Sequence, residues 1–360
     1  MFNVYKYSLP FRKPFITGAG IFHHRQGLIV RFLDDESDLI SEVAPLPGFS
    51  SETLRDVLEI LTSNREKINS FFTQRFSITQ LASFLDAFPN LPSLQFGLSS
   101  LGLLILAERS GSTFPSFLNR SVHAKIKVNA VVGSSDAGKL KQQIKELYQS
   151  GFRVIKCKVT GNPGDIPQTL SELSSDFPDL IFRLDANQTW KFSTIEQFSE
   201  QFRQLSVEYV EDPLKLTNAE QFRDLINKCK LPVAADESIV QFGLSRLITQ
   251  EYIPPYFILK PMFLGNLINL FATITRSKHL DRRVIFTTSL ESVVGRRIIS
   301  IIATMYGSKS SAHGLHTGIL FSNDLFDVNS INNGLSNVRN NQSKLITFKI
   351  IDSSKLDFVF

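Results

Sequence analysis

Cysteine, tryptophan and long hydrophobic runs are scarce in this chain of 360 residues. It holds two cysteines and one tryptophan, and Cys157 and Cys229 lie too far apart to suggest a disulfide framework or a zinc site. No apolar run approaches the roughly 18 residues that cross a bilayer, and the first residues lack the apolar segment of a signal peptide. We therefore expect a cytoplasmic protein with reduced thiols and no membrane insertion.

The positive charge is spread along the chain and is not concentrated. The formal net charge is +5, and no block of Lys and Arg alternates with aromatic residues. This distribution argues against a nucleic-acid-binding tract. A hydrophobic content of 42% is ordinary for a globular protein. No feature marks a self-complementary surface patch, so the sequence leaves the oligomeric state open.

Strand patterns dominate about the first fifty residues and helical patterns the next seventy. The runs FNVYKYSLPF, QGLIVRFLDD and DLISEVAPLPG have strand character. Residues 13–24 contain a proline and two glycines and predict a loop. Residues 52 to about 120 have helical spacing, with predicted breaks at Pro89, Pro92 and Pro115.

A repeating pattern begins near residue 125 and predicts eight strands separated by amphipathic helical segments. The strands are predicted to start near Lys125, Arg153, Leu180, Ser206, Leu231, Pro255, Arg283 and Ala312. Eight such units in a row predict an α/β fold of the (β/α)8 type, a TIM-like barrel. An open doubly wound sheet is the alternative, but it usually has fewer strands and a glycine-rich first turn.

The end of the chain returns to strand character in SKLITFKIIDSSKLDFVF. We expect this segment to fold back onto the N-terminal strands. The predicted domains are an α+β capping domain over residues 1–122, a barrel over residues 123–324, and a C-terminal segment, residues 325–360, that completes the cap.

Ionisable residues stand at the ends of consecutive predicted strands. Lys158, Asp185, Glu211, Asp236 and Lys260 follow one another at intervals of about 24 to 27 residues. The carboxyl ends of parallel strands meet at one face of a barrel, so these side chains are predicted to share a pocket. An isolated acid at a strand end is usually a turn or cap residue. Three in register predict a site for Mg²⁺, with Mn²⁺ as a possible substitute.

The lysines indicate proton transfer beside this metal site. Lys156 and Lys158 are two residues apart, so they face the same side of their strand, although an exposed edge strand with solvated lysines is the alternative. Lys260 comes four strands later and is predicted to lie across the pocket. This arrangement suits removal of a proton α to a metal-bound carboxylate, with an enediolate stabilised by the metal. Positive charge nearby would lower the pKa of Lys158 and favour its action as a base.

These residues resemble the enolase superfamily, in its muconate-lactonizing-enzyme-like branch. The K-x-K pair, the three acids and the later lysine match that pattern in type, order and spacing. Within the branch, EVAPLPGFSSETL, FTTSLESVVG and AHGLHTG are similar to segments of the o-succinylbenzoate synthase family of menaquinone biosynthesis. The resemblance implies syn dehydration of 2-succinyl-6-hydroxy-2,4-cyclohexadiene-1-carboxylate to 2-succinylbenzoate, a hydro-lyase reaction.

The resemblance also implies a role for each residue of the site. Lys158 would take the α-proton and then assist the loss of hydroxide, Lys260 would stabilise the enediolate from the opposite face, and Lys156 would support Lys158. The other implied roles are metal binding by Asp185, Glu211 and Asp236, support of these ligands by Asn187 and Glu237, and contact with a small-molecule carboxylate substrate by Pro47, Gly48, Phe49, Ser289, Glu291 and Gly314.

Two other functions stay open at this point. An N-acylamino acid racemase or a dipeptide epimerase would use the same two lysines, although HGLHTG lacks the D-x-D pattern associated with dipeptide epimerases. A barrel that serves only as a binding protein would normally have lost a ligand or a lysine, and none is missing here. His313 and His316 either contact the substrate or are structural.

Overall fold

The computed structural model describes residues 1–17, 20–133, 136–248, 254–276, 283–326, 331–338 and 347–360. The strands in these residues are β1 Phe2–Thr17, β2 Gly20–Leu33, β3 Asp38–Val43, β4 Lys125–Lys127, β5 Ala130–Val132, β6 Val154–Lys158, β7 Ile181–Asp185, β8 Val207–Glu211, β9 Val233–Ala235, β10 Tyr256–Leu259, β11 Arg283–Phe286, β12 Ile331–Asn332, β13 Leu335–Asn337 and β14 Leu356–Phe358.

The helices in the same residues lie mainly between these strands. They are α1 Leu54–Ser63, α2 Arg65–Thr73, α3 Ile78–Leu85, α4 Pro92–Arg109, α5 Phe114–Phe117, α6 Ala137–Gln149, α7 Ile166–Asp176, α8 Phe192–Arg203, α9 Phe222–Lys228, α10 Glu237–Phe242, α11 Leu244–Leu247, α12 Pro261–Leu264, α13 Leu267–Arg276 and α14 Val293–Tyr306. Among the described residues, no helix combines the length and the apolar character needed to cross a membrane.

The first layer is an antiparallel sheet in the order β14-β1-β2-β3. Strand β14 pairs with β1, with Tyr5 opposite Phe358, so the end of the chain completes the N-terminal sheet. The predicted fold-back of the tail is therefore observed in this pairing. Residues 339–346, which include the start of the predicted tail strand, lie outside the described residues. The domain boundaries at 122/123 and 324/325 stay a prediction.

The predicted loop over residues 13–24 is wrong for the part of it that is described. The hairpin of β1 and β2 continues through it, with Phe15 opposite Phe22, after a register shift that follows Pro10. The ring of Phe11 stacks on the rings of Phe15 and Phe321. These aromatic contacts stabilise the extended strands in a segment whose proline and glycines predict a loop.

Helices α1 to α5 follow the first sheet in the chain, and residues suited to a helix N-terminus mark where they begin. Thr53 and Asp56 form a capping box at the start of α1. Pro92 begins α4 instead of breaking a helix, because a proline in the first turn gives up no intrahelical hydrogen bond. Helix α4 is buried along most of its length and packs against β3 and α12, so it lies between the sheet and the barrel.

The barrel is a parallel sheet in the order β11-β10-β9-β8-β7-β6-β5. The predicted first strand divides in two, because β4 pairs with β13 in a small separate sheet while β5 enters the barrel. The predicted eighth strand is reduced to parallel bridges, from His313 to Val128 and from Gly314 to Thr287. These bridges join β11 to the segment before β5. The chain thus adopts the predicted barrel type in a modified form.

In the part of the chain that the structure describes, the barrel interior contains an apolar cluster with a partly buried ion pair beside it. The cluster consists of Tyr209, Ala234, Tyr256, Ile258 and Ile285. The Arg183 guanidinium binds the Glu208 carboxylate at 2.8 Å and the Asn129 amide oxygen at 2.9 Å, and it lies over the ring of Tyr209. This filling makes the barrel a packed core, with space for a ligand only at its ends.

His313 is a structural residue of the barrel wall. It is 1% exposed, and its Nδ1 accepts a hydrogen bond from the backbone N–H of Phe286 at 3.0 Å. Burial, together with the charge of Arg183, lowers its pKa to about 3. The imidazole is therefore neutral in the folded protein. Its hydrogen bond with Phe286 joins the segment around His313 to β11.

We expect acid to destabilise the fold through His313. Its folded pKa lies below the ordinary value of 6.5, so the unfolded chain binds more protons between those two pKa values. The contribution of His313 to the free energy of unfolding should then fall as the pH drops below 6.5, by up to about 1.4 kcal/mol per pH unit. Urea titrations at pH 7.5 to 4.5 measure this slope. His313→Gln should flatten it, with His23→Gln at an exposed position as the control. Equal slopes in all three proteins would contradict the assignment.

Candidate active site

The strand register brings the predicted acids and lysines to one end of the barrel. Lys158 pairs with Asp185 across β6 and β7, and Asp185 pairs with Glu211 across β7 and β8. Asp236 and Lys260 directly follow β9 and β10. Parallel pairing sets these positions, because all five strands run in the same direction and their carboxyl ends therefore meet at one end of the sheet.

Lysine ammonium groups lie among the three buried carboxylates. Lys156 Nζ is 2.8 Å from Asp185 Oδ2 and also forms a short hydrogen bond with Glu211 Oε2. Lys260 Nζ is 2.7 Å from Asp236 Oδ2. The three acids are at most 4% exposed, whereas Lys158 is exposed. Of the two lysines in the K-x-K pair, Lys156 thus neutralises the acids.

Burial and mutual repulsion set the protonation of this cluster. Burial raises the pKa of Glu211 to about 7, with Asp185 and Asp236 adding to the shift and Lys156 opposing it. The pKa of Lys156 is raised well above its ordinary value, because the neighbouring carboxylates outweigh the effect of burial. The pKa of Lys260 is raised for the same reason, chiefly by Asp236. The cluster therefore stabilises added positive charge.

The donor set fits a hard divalent cation in its chemistry. Carboxylate oxygens are the ligands that Mg²⁺ prefers. Because the three carboxylates are buried, a bound cation would stabilise their negative charge. Within the described ranges, no three Asp, Glu, His or Cys side chains form a ready-made metal cluster. The lysine contacts above involve the same oxygens that would bind the ion. Asp185, Glu211 and Asp236 are the residues that would hold it.

Asn187 and Glu237 lie beside the acids as the sequence predicts. The Asn187 amide donates to Glu237 Oε1 at 3.2 Å, and its backbone N–H donates to Asp185 Oδ1 at 3.1 Å. Asn187 has a φ of 45°, in the left-handed region that asparagine tolerates better than most residues. Glu237 Oε2 is buried and has no hydrogen-bond partner among the described residues. Their support of the metal ligands stays a prediction.

Asp212 is a residue of the site that sequence reasoning missed. Its carboxylate accepts hydrogen bonds from the backbone N–H of Asp236 and from both the N–H and the hydroxyl of Ser238. Burial raises its pKa to about 8. Through these hydrogen bonds Asp212 holds the backbone around Asp236 in place. The signal available was its place directly after Glu211, as a second acid before a proline.

The predicted substrate residues of the barrel lie after β11 and at the last bridge. Ser289 is 3% exposed, and its buried hydroxyl has no hydrogen-bond partner in the described part of the chain. Glu291 accepts a hydrogen bond from the backbone N–H of Ser289 through Oε2, while its Oε1 has no partner within the described ranges. Burial and the Glu42 carboxylate raise the pKa of Glu291 to about 7. Gly314 uses its N–H and carbonyl in bonds to Phe286 and Thr288.

The predicted substrate residues of the cap lie in a turn after β3. Pro47 and Gly48 line a cavity of about 310 Å³, together with Phe15, Phe22 and other cap residues. Phe49 is 42% exposed, so this turn presents an apolar side chain to solvent. Its contact with a substrate stays a prediction.

Comparison with known proteins gives the class of this fold. Residues 139–265 match the family described as enolase C-terminal domain-like, and residues 1–103 match the N-terminal domain of MenC. A dipeptide epimerase of Methylococcus capsulatus, solved with Mg and the dipeptide L-Arg-D-Lys, superposes with a TM-score of 0.80 at 18% identity, covering 94% of this chain and 96% of the other. The chain therefore has the capped-barrel fold of the enolase superfamily.

Within that class the chain resembles the o-succinylbenzoate synthases. The o-succinylbenzoate synthase of Aliivibrio fischeri strain MJ11 is 28% identical over 327 residues, which cover 89% of this chain and 90% of the relative. MenC of Desulfotalea psychrophila superposes with a TM-score of 0.74 at 21% identity, over 94% of this chain and 99% of the other. The family resemblance read from the sequence motifs is confirmed.

Proposed function

We propose that the protein is an o-succinylbenzoate synthase. It would dehydrate 2-succinyl-6-hydroxy-2,4-cyclohexadiene-1-carboxylate to 2-succinylbenzoate in menaquinone biosynthesis. The observation that carries the proposal is the set of three buried carboxylates on adjacent strand ends, with lysines on both sides. The resemblance to the synthases over most of both chains supports this reaction among those that such a site permits.

In the proposed reaction Lys158 removes the proton on the carbon that bears the substrate carboxylate. The same lysine, now protonated, gives its proton to the leaving hydroxyl on the adjacent carbon. A carbon–hydrogen bond and a carbon–oxygen bond break, one ring double bond forms, and the products are 2-succinylbenzoate and water. One base serves both steps because a syn elimination places both groups on the same face of the ring.

Positive charge on the opposite side stabilises the electron density that moves onto the substrate carboxylate. Lys260 provides it, since its raised pKa keeps the side chain charged at neutral pH. Mg²⁺ bound by Asp185, Glu211 and Asp236 would supply Lewis-acid stabilisation of the same developing charge. Lys156 holds two of these acids in place through its ion pairs.

The cap turn and the segment after β11 are proposed to enclose the rest of the substrate. The unpartnered Ser289 hydroxyl and Glu291 Oε1 are polar atoms that a bound ligand or water can satisfy. The exposed Phe49 gives an apolar surface to the ring. Pro47 and Gly48 directly precede Phe49 in the cap turn, and the Gly314 carbonyl accepts a hydrogen bond from the backbone beside Ser289. These three residues are therefore proposed to contact the substrate together with Phe49 and Ser289.

We expect the purified protein to convert the cyclohexadiene carboxylate in the presence of Mg²⁺. The assay follows loss of the diene absorbance and identifies 2-succinylbenzoate by chromatography, with EDTA as the control. Metal-dependent formation of this product supports the proposal. Absence of turnover with Mg²⁺ or Mn²⁺ would reject it. Deuterium exchange at the α-carbon of N-succinylamino acids or dipeptides would then identify the racemase or epimerase alternative.

A further inference from the structure

Glu42 is a carboxylate of the cap that binds the barrel. It lies in β3, directly before the turn that holds Pro47 and Phe49, and it is fully buried. Its oxygens accept hydrogen bonds from Ser292 N at 2.8 Å, Ser292 Oγ at 2.5 Å and Gly295 N at 2.7 Å. The strand β1 adds the Tyr7 hydroxyl, also at 2.5 Å. Four donors thus converge on one side chain.

Through these contacts the Glu42 side chain caps the N-terminus of helix α14, which lies in the barrel part of the fold. Ser292 is the N-cap of α14, and Gly295 is the third residue of that helix. Backbone N–H groups in a first turn lack intrahelical partners, and an acid at the third position often accepts from the N-cap N–H. The third position here has no side chain. The carboxylate of Glu42 takes that role from a distant part of the sequence.

The glycine at position 295 is required by this arrangement. A Cβ there would lie 2.9 Å from Glu42 Oε2 and 2.7 Å from Glu291 Cβ, and both distances are shorter than normal contacts between such atoms. Glycine therefore lets the carboxylate reach the helix end. An alanine at this position would crowd both Glu291 and Glu42, so it disturbs the same contact region without altering the Glu42 side chain itself.

Arg25 links the same two segments through their carbonyl groups. It is 2% exposed, and it donates to Ala44 O at 2.5 Å, to Pro45 O at 2.7 Å and to Leu290 O at 3.0 Å. Leu290 has a φ of 64°, a strained conformation for this residue type. The guanidinium therefore holds both the start of the cap turn and a strained residue of the barrel loop.

We propose that Glu42 and Arg25 form an interdomain clamp that positions the substrate-binding segments. The clamp fixes residues 44–49 of the cap against residues 288–292 of the barrel. The inference rests on the proposed function, because those two segments contain the predicted substrate contacts. Glu42 and Arg25 are positioning residues, since their hydrogen bonds go to protein groups and not to reacting atoms.

The clamp predicts a specific kinetic signature. The proposed proton-transfer and metal-binding groups are carried by the ends of β6 to β10, whereas the clamp joins the cap turn to the segment that follows β11. Loosening the clamp should therefore weaken substrate binding while the chemical step is retained. We expect Glu42→Gln and Gly295→Ala each to raise KM about 10- to 100-fold, with kcat changed less than about threefold.

A matched glycine provides the control. Gly138 lies in the first turn of α6, and among the described residues a Cβ there would come within 4 Å of the Asp136 side chain alone, at 3.3 Å. Gly138→Ala should leave KM and kcat unchanged. A decrease in kcat that matches the increase in KM for Glu42→Gln would overturn the positioning role. So would an unchanged KM with a lower melting temperature, which is the result of a purely structural contact.

Hydrogen–deuterium exchange tests the clamp without relying on turnover. In Glu42→Gln, peptides that span residues 44–50 and 288–295 should exchange faster together, while peptides of β6 to β10 exchange as in the unaltered protein. Loosening of one segment alone would overturn the clamp. If the unaltered protein fails to convert the cyclohexadiene carboxylate, the proposed function fails, whereas the exchange result still decides the clamp.

Discussion

Replacing Lys158 with alanine is expected to abolish turnover while the fold and the Mg²⁺ affinity are kept. A positioned general base contributes about 10² to 10⁴-fold, and Lys158 is proposed to act in both proton transfers, so we expect a loss of at least about 10³-fold in kcat. The fold should survive because the side chain is exposed at the end of β6. Single-turnover assays of product formation measure the effect.

A chemical rescue can separate the amine of Lys158 from the rest of the side chain. The native cysteines, Cys157 and Cys229, are both buried, and burial raises their thiol pKa values to about 12 and about 11. In Lys158→Cys, 2-bromoethylamine should therefore alkylate the new thiol selectively and restore activity. Lys139→Ala, at an exposed position of α6, is the control. Turnover within threefold of normal in Lys158→Ala would reject the assignment.

Replacing Asp236 with asparagine is expected to weaken Mg²⁺ binding and turnover together. Changes in residues that only support metal ligands already cost about 10- to 100-fold in affinity, so loss of a ligand charge should cost at least about 100-fold. The variant also removes the carboxylate that binds Lys260. Glu211→Gln is therefore the companion variant, since it changes a proposed ligand without altering that ion pair. Isothermal titration with Mg²⁺ and the Mg²⁺ dependence of kcat measure both effects.

The pH dependence of Mg²⁺ binding gives a second measure of the same site. Because the pKa of Glu211 is raised to about 7, the metal must displace a proton below that pH. The apparent affinity should then fall by up to about tenfold per pH unit as the pH drops below 7. Glu172→Gln, in an exposed ion pair with Lys141, is the control and should not change it. An unchanged Mg²⁺ affinity in both Asp236→Asn and Glu211→Gln would contradict the proposed ligands.

The ionisable residues at the strand ends could be predicted because they depend on local spacing. A strand and a helix with two short loops have a nearly constant length, so Lys158, Asp185 and Glu211 recur in step and come into register. The eighth strand could not be predicted in its actual form. Its sequence has strand character, but closure depends on how the seven other strands tilt, and only bridges at His313 and Gly314 result.

The sequence by itself determined the barrel type, the cap and the chemical set of the site, because periodicity and residue type are properties of neighbouring positions. Only the tertiary structure decided that Lys156 neutralises Asp185 and Glu211, and that Glu42 caps a helix 250 residues away in the chain. Such partners depend on distances set by packing many elements together. The spacing of residues along the sequence does not determine those distances, so only the folded structure shows which distant residues are in contact.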